Sequence, residues 1–449
     1  MQERPPPLRM FIGGPGGTGK SHVIQAVQEF FKQAGQARRF RVCSFMGVAA
    51  RNVARSTLHA ALNLNDRKGS RLSAKSRRDL ITKCEGVDFL LVDEVSVVGR
   101  KLLVTIHEAL CIAKGNDLPF GDVNIIFAGD FAQLPPVGQR SLYSQTKGHN
   151  ISNPNVQADV FGRLLWLSVD VVVLLTQSMR QSGDANKGFV ELLGRLRVGK
   201  CNDNDYRLLQ SRLLSTVQPS WANEDWLDAP IIVMGNEAKD ALNEGATLAF
   251  TRRSGCPVHW YKATDCVDGG GALGAEESQY LHRLHSGETN QQLGRIPLVI
   301  GMPVMITQNF DVESGIVNGC VGTLASIQYT VDSMHDRVAV SCVVHTPSSA
   351  DQPLPHLEPY HSVVLADTVE VHLQHPFRGG DLKFRHTQVP ILPGFVMTVH
   401  KSQGATAERA IVDLDGCKGT ESPYVMLSRV KSLAGLVILR LFSINQITC

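Results

Sequence analysis

Five short apolar runs recur through the first 180 residues: LRMFI from Leu8, RFRVCSF from Arg39, DFLLVDE from Asp88, VNIIFAGD from Val123 and VVVLLTQ from Val171. Each is rich in Val, Ile, Leu or Phe without strict alternation, the pattern of strands buried on both faces. Between them, HVIQAVQEFF (from His22) and KLLVTIHEALCIA (from Lys101) carry apolar residues at helical spacing. Strands alternating with helices predict an α/β fold built on a mostly parallel sheet. A polar connection, GQRSLYSQTKGHNISNPN, interrupts the alternation, and a charged helical stretch from Phe189 to Leu214 follows it. IIVMGN, from Ile231, restarts an α/β pattern. From about residue 322 to 390 the pattern turns to short β runs, ASIQYTVDS, RVAVSCVVH and HSVVLADTVEVHL, split by the Pro-rich TPSSADQPLPHLEP. Those runs predict a small β domain inserted into a second α/β unit. No internal repeat or low-complexity tract is visible.

The junction of the first strand and the first helix carries the strongest chemical signal. Gly13 to Ser21 read GGPGGTGKS, and Gly14-x-x-x-x-Gly19-Lys20-Ser21 fits the phosphate-binding P-loop. Glycines there free backbone N–H groups to wrap phosphates, and the helix N-terminus adds positive potential. The predicted nucleotide-binding set is Gly14, Gly16, Gly17, Thr18, Gly19, Lys20 and Ser21, with Lys20 reaching the β and γ phosphates and Ser21 holding Mg²⁺. FLLVDEVS adds an acidic pair at a strand end: Asp93 for Mg²⁺ and Glu94 to polarise the attacking water. IIFAGDFAQLPPV presents Gln133, an amide placed to sense the γ-phosphate.

Composition sets the outer bounds. A chain of 449 residues should divide into about two to four domains. No apolar run approaches the roughly 20 residues of a membrane-spanning helix, and MQERPPPLR lacks a signal-peptide core, so a secreted or membrane-embedded protein is not expected. The ten cysteines contain no C-x-x-C, and Cys256 and Cys266 have only His259 between them as another metal ligand; they read as reduced thiols of an intracellular protein. Net charge is +3, which neither demands nor excludes nucleic acid. DRKGSRLSAKSRRD, however, concentrates Arg67, Lys68, Arg71, Lys75, Arg77 and Arg78, enough to neutralise several backbone phosphates; a solvated loop accounts for it equally well. A GTPase is excluded by the lack of Asn-Lys-x-Asp, since Asn186-Lys187 continues as Gly188-Phe189.

Taken in order, GGPGGTGKS, VDEVS, GDFAQLPPV, LTQSMR (Leu175 to Arg180), VMITQNFDVESGIVNGCVG (Val304 to Gly322), TVHKSQGAT (Thr398 to Thr406) and VMLSRV (Val425 to Val430) cover nearly the whole chain. The set resembles the motifs of PIF-type DNA helicases, in the 5′-to-3′ branch of superfamily one; the spacing and the GGPGGTGKS form also resemble the helicase portion of Helitron transposon proteins. The resemblance implies two RecA-like P-loop NTPase motor domains, with a small basic wedge in the first and an SH3-like β insertion in the second. Its expected limits are 1–180 for the first motor domain with a wedge at about 62–86, 181–321 for the first part of the second, 322–390 for the insertion and 391–449 for the remainder. It implies an ATP-dependent helicase that moves 5′-to-3′ on single-stranded DNA and unwinds duplex, using ATP and Mg²⁺. A DNA-stimulated ATPase switch that binds strands without processive unwinding keeps the same motifs and is the alternative.

The same likeness assigns further residues. Arg180 and Arg429 match two arginines aimed at the γ-phosphate, completing a catalytic set of Lys20, Asp93, Glu94, Gln133, Arg180 and Arg429 with Ser21 and Asp93 on the metal. Gln403 and Gly404 match a nucleotide-binding link to the strand. His400, Lys401 and Ser402 match backbone contacts of the second motor domain; SFMGVAA, with Gly47, and Thr57 and His59 match those of the first. Such contacts position a strand without reading its sequence. Expected partners are single-stranded and forked DNA, with no membrane, for a motor acting as a monomer on DNA or within a longer polyprotein. Nucleus first and mitochondrion second are the implied compartments, in DNA repair, recombination, telomere maintenance or transposition. In this family a glutamine-bearing segment that reads adenine precedes the first strand, whereas only MQERPPP precedes Leu8. A fragment of a longer chain, or weak choice among nucleotide bases, is expected on that ground.

Overall fold

The computed structural model describes all residues except 1–4, 46, 48–55, 65–71, 146–152, 182, 221–223, 268–272, 311–315, 348–356, 376, 378 and 449. Arg67, Lys68 and Arg71 of the basic stretch, and most of SFMGVAA beyond Gly47, lie outside the described residues.

Five strands, β1 (Arg9–Gly13), β2 (Phe40–Ser44), β3 (Phe89–Asp93), β4 (Asn124–Gly129) and β5 (Val171–Leu174), form one sheet in the order β2-β3-β4-β1-β5. Every pairing is parallel. Leu90, Leu91, Val92, Ile125, Ile126, Phe127 and Ala128 are buried, as the unalternated apolar runs require, whereas the run from Val171 departs from that expectation: β5 is an edge strand and leaves Val172, Val173 and Leu174 exposed. Because all five strands run the same way, their carboxyl ends share one edge, where ligands of open α/β sheets bind. The residues that follow those ends are the P-loop after β1, Glu94 after β3, Gln133 after β4 and Arg180 after β5.

A second parallel sheet has the order Val396–Thr398, Ile231–Val233, Ala410–Val412, Leu436–Ile438. With the first it gives the two RecA-like domains that the motif resemblance implied. The lobes share a core: Val97 and Leu134 of the first pack in one cluster with Val399, Tyr424, Val425 and Leu427 of the second.

Between Ile231–Val233 and Val396–Thr398, the chain builds β structure from His259 to Pro393, a wider region than 322–390. A seven-stranded sheet runs Ile391–Pro393, Pro303–Ile306, Val321–Val331, Arg337–His345, His259–Lys262, Arg295–Leu298, with His361–Leu365 also paired to Arg337–His345. A three-stranded sheet holds Asp367–Gln374, Asp381–Gln388 and Thr264–Val267. The additional strands HWYK, TDCV, RIPL and PVMI have four residues each, too few for a period of two to show. In the basic stretch, Ala74–Cys84 is a helix capped by Ser73, whose hydroxyl accepts from Ser76 N. No described helix is long and apolar enough to cross a membrane.

Candidate active site between the two lobes

The P-loop turns sharply. Gly17 and Gly19 have φ of +85° and +87°, and a Cβ on Gly17 would stand 2.6 Å from Arg180 Cβ. Only glycine combines that conformation with that approach. Arg180 N and Met179 N donate to Gly17 O, so the loop after β5 is fastened to the P-loop backbone. Lys20 Nζ donates to Gly14 O at 2.7 Å and to Pro15 O at 2.9 Å. Burial lowers its pKa, while Asp130, Glu94 and Asp93 pull it back up.

Across the loop, Asp93 is 6% exposed, and burial followed by the charge of Glu94 raises its carboxyl to about 7. Its Oδ1 accepts from Glu94 N. Glu94 itself is left-handed, φ 57° and ψ 47°, an uncommon state for a residue with a side chain. Gln403 Nε2, from the other lobe, donates to Glu94 Oε2 at 2.8 Å.

Arg429, at the end of the helix Glu421–Leu427, is 2% exposed. Its Nε donates to Val425 O (2.7 Å), Nη1 to Ala405 O (3.2 Å) and Nη2 to Ser428 Oγ (2.8 Å). Burial, then the neighbouring charge of Arg180, lowers its pKa to about 10. Arg180 reaches across the cleft as well, Nη1 donating to Ser428 O at 2.7 Å. Arg429 is buried and Arg180 half-buried, and the two cations line the same cleft.

The cleft between these groups is about 360 Å³, and its lining includes Gly16, Gly17, Gly19, Lys20, Ser21, Asp93, Glu94, Gln133, Arg180, Gly404 and Arg429. Thr18 lies beside it, buried, its hydroxyl donating to Pro15 O. Gln403 is buried against Glu94 and Ser96. Gln133 Oε1 and Gln403 Oε1 are buried with no hydrogen-bond partner among the described residues. The nucleotide-binding and catalytic residues expected from sequence thus converge.

The expected strand-binding residues divide. Gly47 sits against the turn around Asn318, where a Cβ would stand 2.7 Å from Asn318 O. Lys401 donates to Asn318 Oδ1, and Asn318 N donates to Asn309 Oδ1 at 2.8 Å. His59 stacks edge-on against Phe45, and burial lowers the pKa of His59 and His400. Thr57 and Ser402 differ from the expectation. Thr57 Oγ1 accepts from Ala60 N as a helix cap, Ser402 Oγ donates to Val399 O, and both are buried. Their hydroxyls are engaged by backbone, the competing use of Ser and Thr beside a short helix.

Sequence reasoning missed Tyr424, Asp130 as a side chain, Arg197 and Gln181. Gln181 Nε2 donates across the cleft to Val430 O at 2.8 Å, next to Arg180 in chain and in space. The signal available was proximity to the motifs LTQSMR and VMLSRV, not residue type.

The fold and site define a two-lobed α/β protein of RecA-like build whose P-loop faces a cleft between the lobes. Residues 5–207 match the family model described as PIF1-like helicase. Similarity to proteins named as members of that family runs along nearly the whole chain. ATP-dependent DNA helicase PIF1 of Homo sapiens is 26% identical over 437 residues, covering 96% of this chain and 58% of the relative. The enzyme of the same name from Emericella nidulans is 25% identical over 472 residues, with the same two coverages. The chain therefore spans a little under three fifths of the length of these relatives. Among solved structures, Pif1 helicase from Candida albicans superposes with a TM-score of 0.69 at 22% identity, covering 98% of this chain and 92% of that one. Pif1 from Bacteroides in complex with ADP-AlF3 and ssDNA gives 0.67 at 19% identity, covering 99% and 91%.

Proposed function

We propose that this protein is an ATP-dependent DNA helicase that translocates 5′-to-3′ on single-stranded DNA and unwinds duplex. The observation that carries the reading is the convergence of Lys20, Glu94, Gln133 and Arg180 of one lobe with Gln403 and Arg429 of the other on a single cleft. A nucleotide there touches both lobes, so hydrolysis changes what holds them together. Alternate gripping of a strand by Lys401 and by Gly47 then converts each cycle into a step. The relatives' printed names, and the ADP-AlF3 and ssDNA bound to the Bacteroides protein, agree with this chemistry.

Mg²⁺ fits the residues present. Asp93 is a buried carboxyl whose ionised form is disfavoured by burial and by Glu94, a setting that a divalent cation relieves, and Ser21 stands beside the same cleft. Bound there, the ion would neutralise phosphate charge. The helix Ala74–Cys84 with Lys75, Arg77 and Arg78 serves as the separating wedge in this reading, and the β region from His259 as an SH3-like closure over the strand. Repair, recombination, telomere maintenance or transposition are the processes such a motor serves, in nucleus or mitochondrion. The Helitron likeness rests on motif spacing and the GGPGGTGKS form alone.

The deciding experiment measures ATP hydrolysis with and without single-stranded DNA, then strand displacement on duplexes with a 5′ or a 3′ tail. Stimulated hydrolysis with displacement from the 5′ tail is expected. Stimulation without displacement would replace the helicase with the ATPase switch, and no stimulation would end both.

A second expectation concerns pH. Burial, then the charge of Lys239, lowers Lys401 to about 8, and His400 beside it is kept neutral by burial. A DNA phosphate favours the ammonium form, so binding takes up a proton once the free lysine has lost it. Affinity for single-stranded DNA should therefore hold up to about pH 8 and weaken by about tenfold one to two pH units higher, at constant ionic strength. In Lys401→Arg the dependence should flatten, because guanidinium stays charged. An unchanged slope in that variant would remove Lys401 from the interface.

A further inference from the structure

We propose that Tyr424 is a positioning residue whose hydroxyl locks the helix carrying Arg429 onto the P-loop and the Asp130 turn, so that Arg429 and Gln133 align on the γ-phosphate only when the lobes are closed. The proposal rests on the ATP-hydrolysing reading above. Gly16 N donates to Tyr424 Oη at 2.9 Å, and Tyr424 Oη donates to Asp130 Oδ2 at 2.9 Å. Asp130 is in turn held from its other oxygen: Oδ1 accepts from Arg197 Nε (3.2 Å) and Nη2 (2.8 Å) and from Ala132 N (3.1 Å). Gln133 N donates to Asp130 O, so the turn that presents Gln133 hangs on the same residue.

Tyr424 and Asp130 are 2% and 1% exposed, so these bonds form out of water, where an unmade partner is costly. Burial, then the Asp130 carboxylate, raises the phenol's pKa, which keeps it a donor. The pinned peptide lies where the chemistry is aimed: a Cβ on Gly16 would stand 3.5 Å from Arg429 Nη2 and 3.6 Å from Gln133 Nε2. Gly16, Asp130 and Gln133 belong to the first lobe; Tyr424, on the short helix Glu421–Leu427, and Arg429, in the turn that follows it, belong to the second. When the lobes part, one hydroxyl leaves and both the P-loop N–H and the Asp130 carboxylate lose a partner. The ring of Tyr424 also fills the shared core, a role that phenylalanine would fill equally well.

Tyr424→Phe separates the two roles. With saturating single-stranded DNA, kcat for ATP should fall on the order of 10- to 100-fold while KM for ATP stays within about threefold and DNA affinity is unchanged, because alignment and not binding is lost. Tyr424→Phe combined with Arg429→Ala should lose less than the product of the two single losses, since part of the hydroxyl's effect runs through that arginine and the rest through Gln133. Asp130→Asn should show the same split of kcat from KM, and it carries the test if the phenylalanine variant does not fold. A parent that hydrolyses ATP beside a Tyr424→Phe variant of equal kcat, or multiplicative losses in the double variant, would overturn the positioning role and leave the motor reading intact. A parent without DNA-stimulated hydrolysis would overturn both.

Discussion

Glu94→Gln is expected to bind ATP as the parent does and to hydrolyse it about 10² to 10⁴ times more slowly, the loss that removal of a general base produces. Position and surroundings both support this. The left-handed turn at Glu94 places its carboxylate at the carboxyl edge of the sheet, beside Asp93 and facing Gln403. Glutamine keeps the size of the side chain, and its carbonyl oxygen can accept the same bond from Gln403 Nε2, so cleft geometry is retained while the ability to take a proton from water is not. Nucleotide affinity in the absence of turnover, together with steady-state hydrolysis at saturating single-stranded DNA, checks the prediction. Hydrolysis near the parent rate would mean that another group activates the water.

What could be read from the residues alone was chemistry confined to a few consecutive positions. GGPGGTGKS and VDEVS declare themselves because a phosphate cradle and a metal-and-water pair need particular residue types at fixed short spacing, between a strand and a helix that the hydrophobic pattern marks independently. Contacts that join distant parts of the chain were not legible. Gln403 meets Glu94 across 309 positions and Tyr424 meets Asp130 across 294, and no local pattern distinguishes this tyrosine from one that fills a core. Thr57 and Ser402 show the same limit at short range, because a hydroxyl near a helix end suits a phosphate and a backbone cap alike until packing chooses. The β region illustrates it for the fold. Its long strands from Val321 and Arg337 were visible, while its four-residue strands from His259 onward take their conformation from their neighbours in the sheet.

Arg429→Ala is expected to cost turnover on a comparable scale, about 10³-fold or beyond, by analogy with the rate supplied by arginine fingers in phosphoryl transfer generally. The argument begins from a charge that is poorly provided for. Arg429 is buried, bonded to two backbone carbonyls and a serine hydroxyl, and close enough to Arg180 for that charge to lower its pKa further. None of those partners is an anion, so the guanidinium is under-compensated until a triphosphate arrives, and negative charge spreading over the γ-phosphate in the transition state is stabilised by both arginines together. Alanine removes that stabilisation while Lys20 and the P-loop amides still grip the phosphates, so KM for ATP should change far less than kcat. It also removes the repulsion with Arg180, so the variant's melting temperature without nucleotide should stay level with the parent's or rise, which distinguishes loss of function from misfolding. Arg429→Lys should not restore the rate, because an ammonium cannot hold Val425 O and Ala405 O while presenting a second edge to phosphate. Full DNA-stimulated turnover in either variant would take Arg429 out of the hydrolytic centre, and would leave Arg180 as the cation that senses the γ-phosphate from within the first lobe.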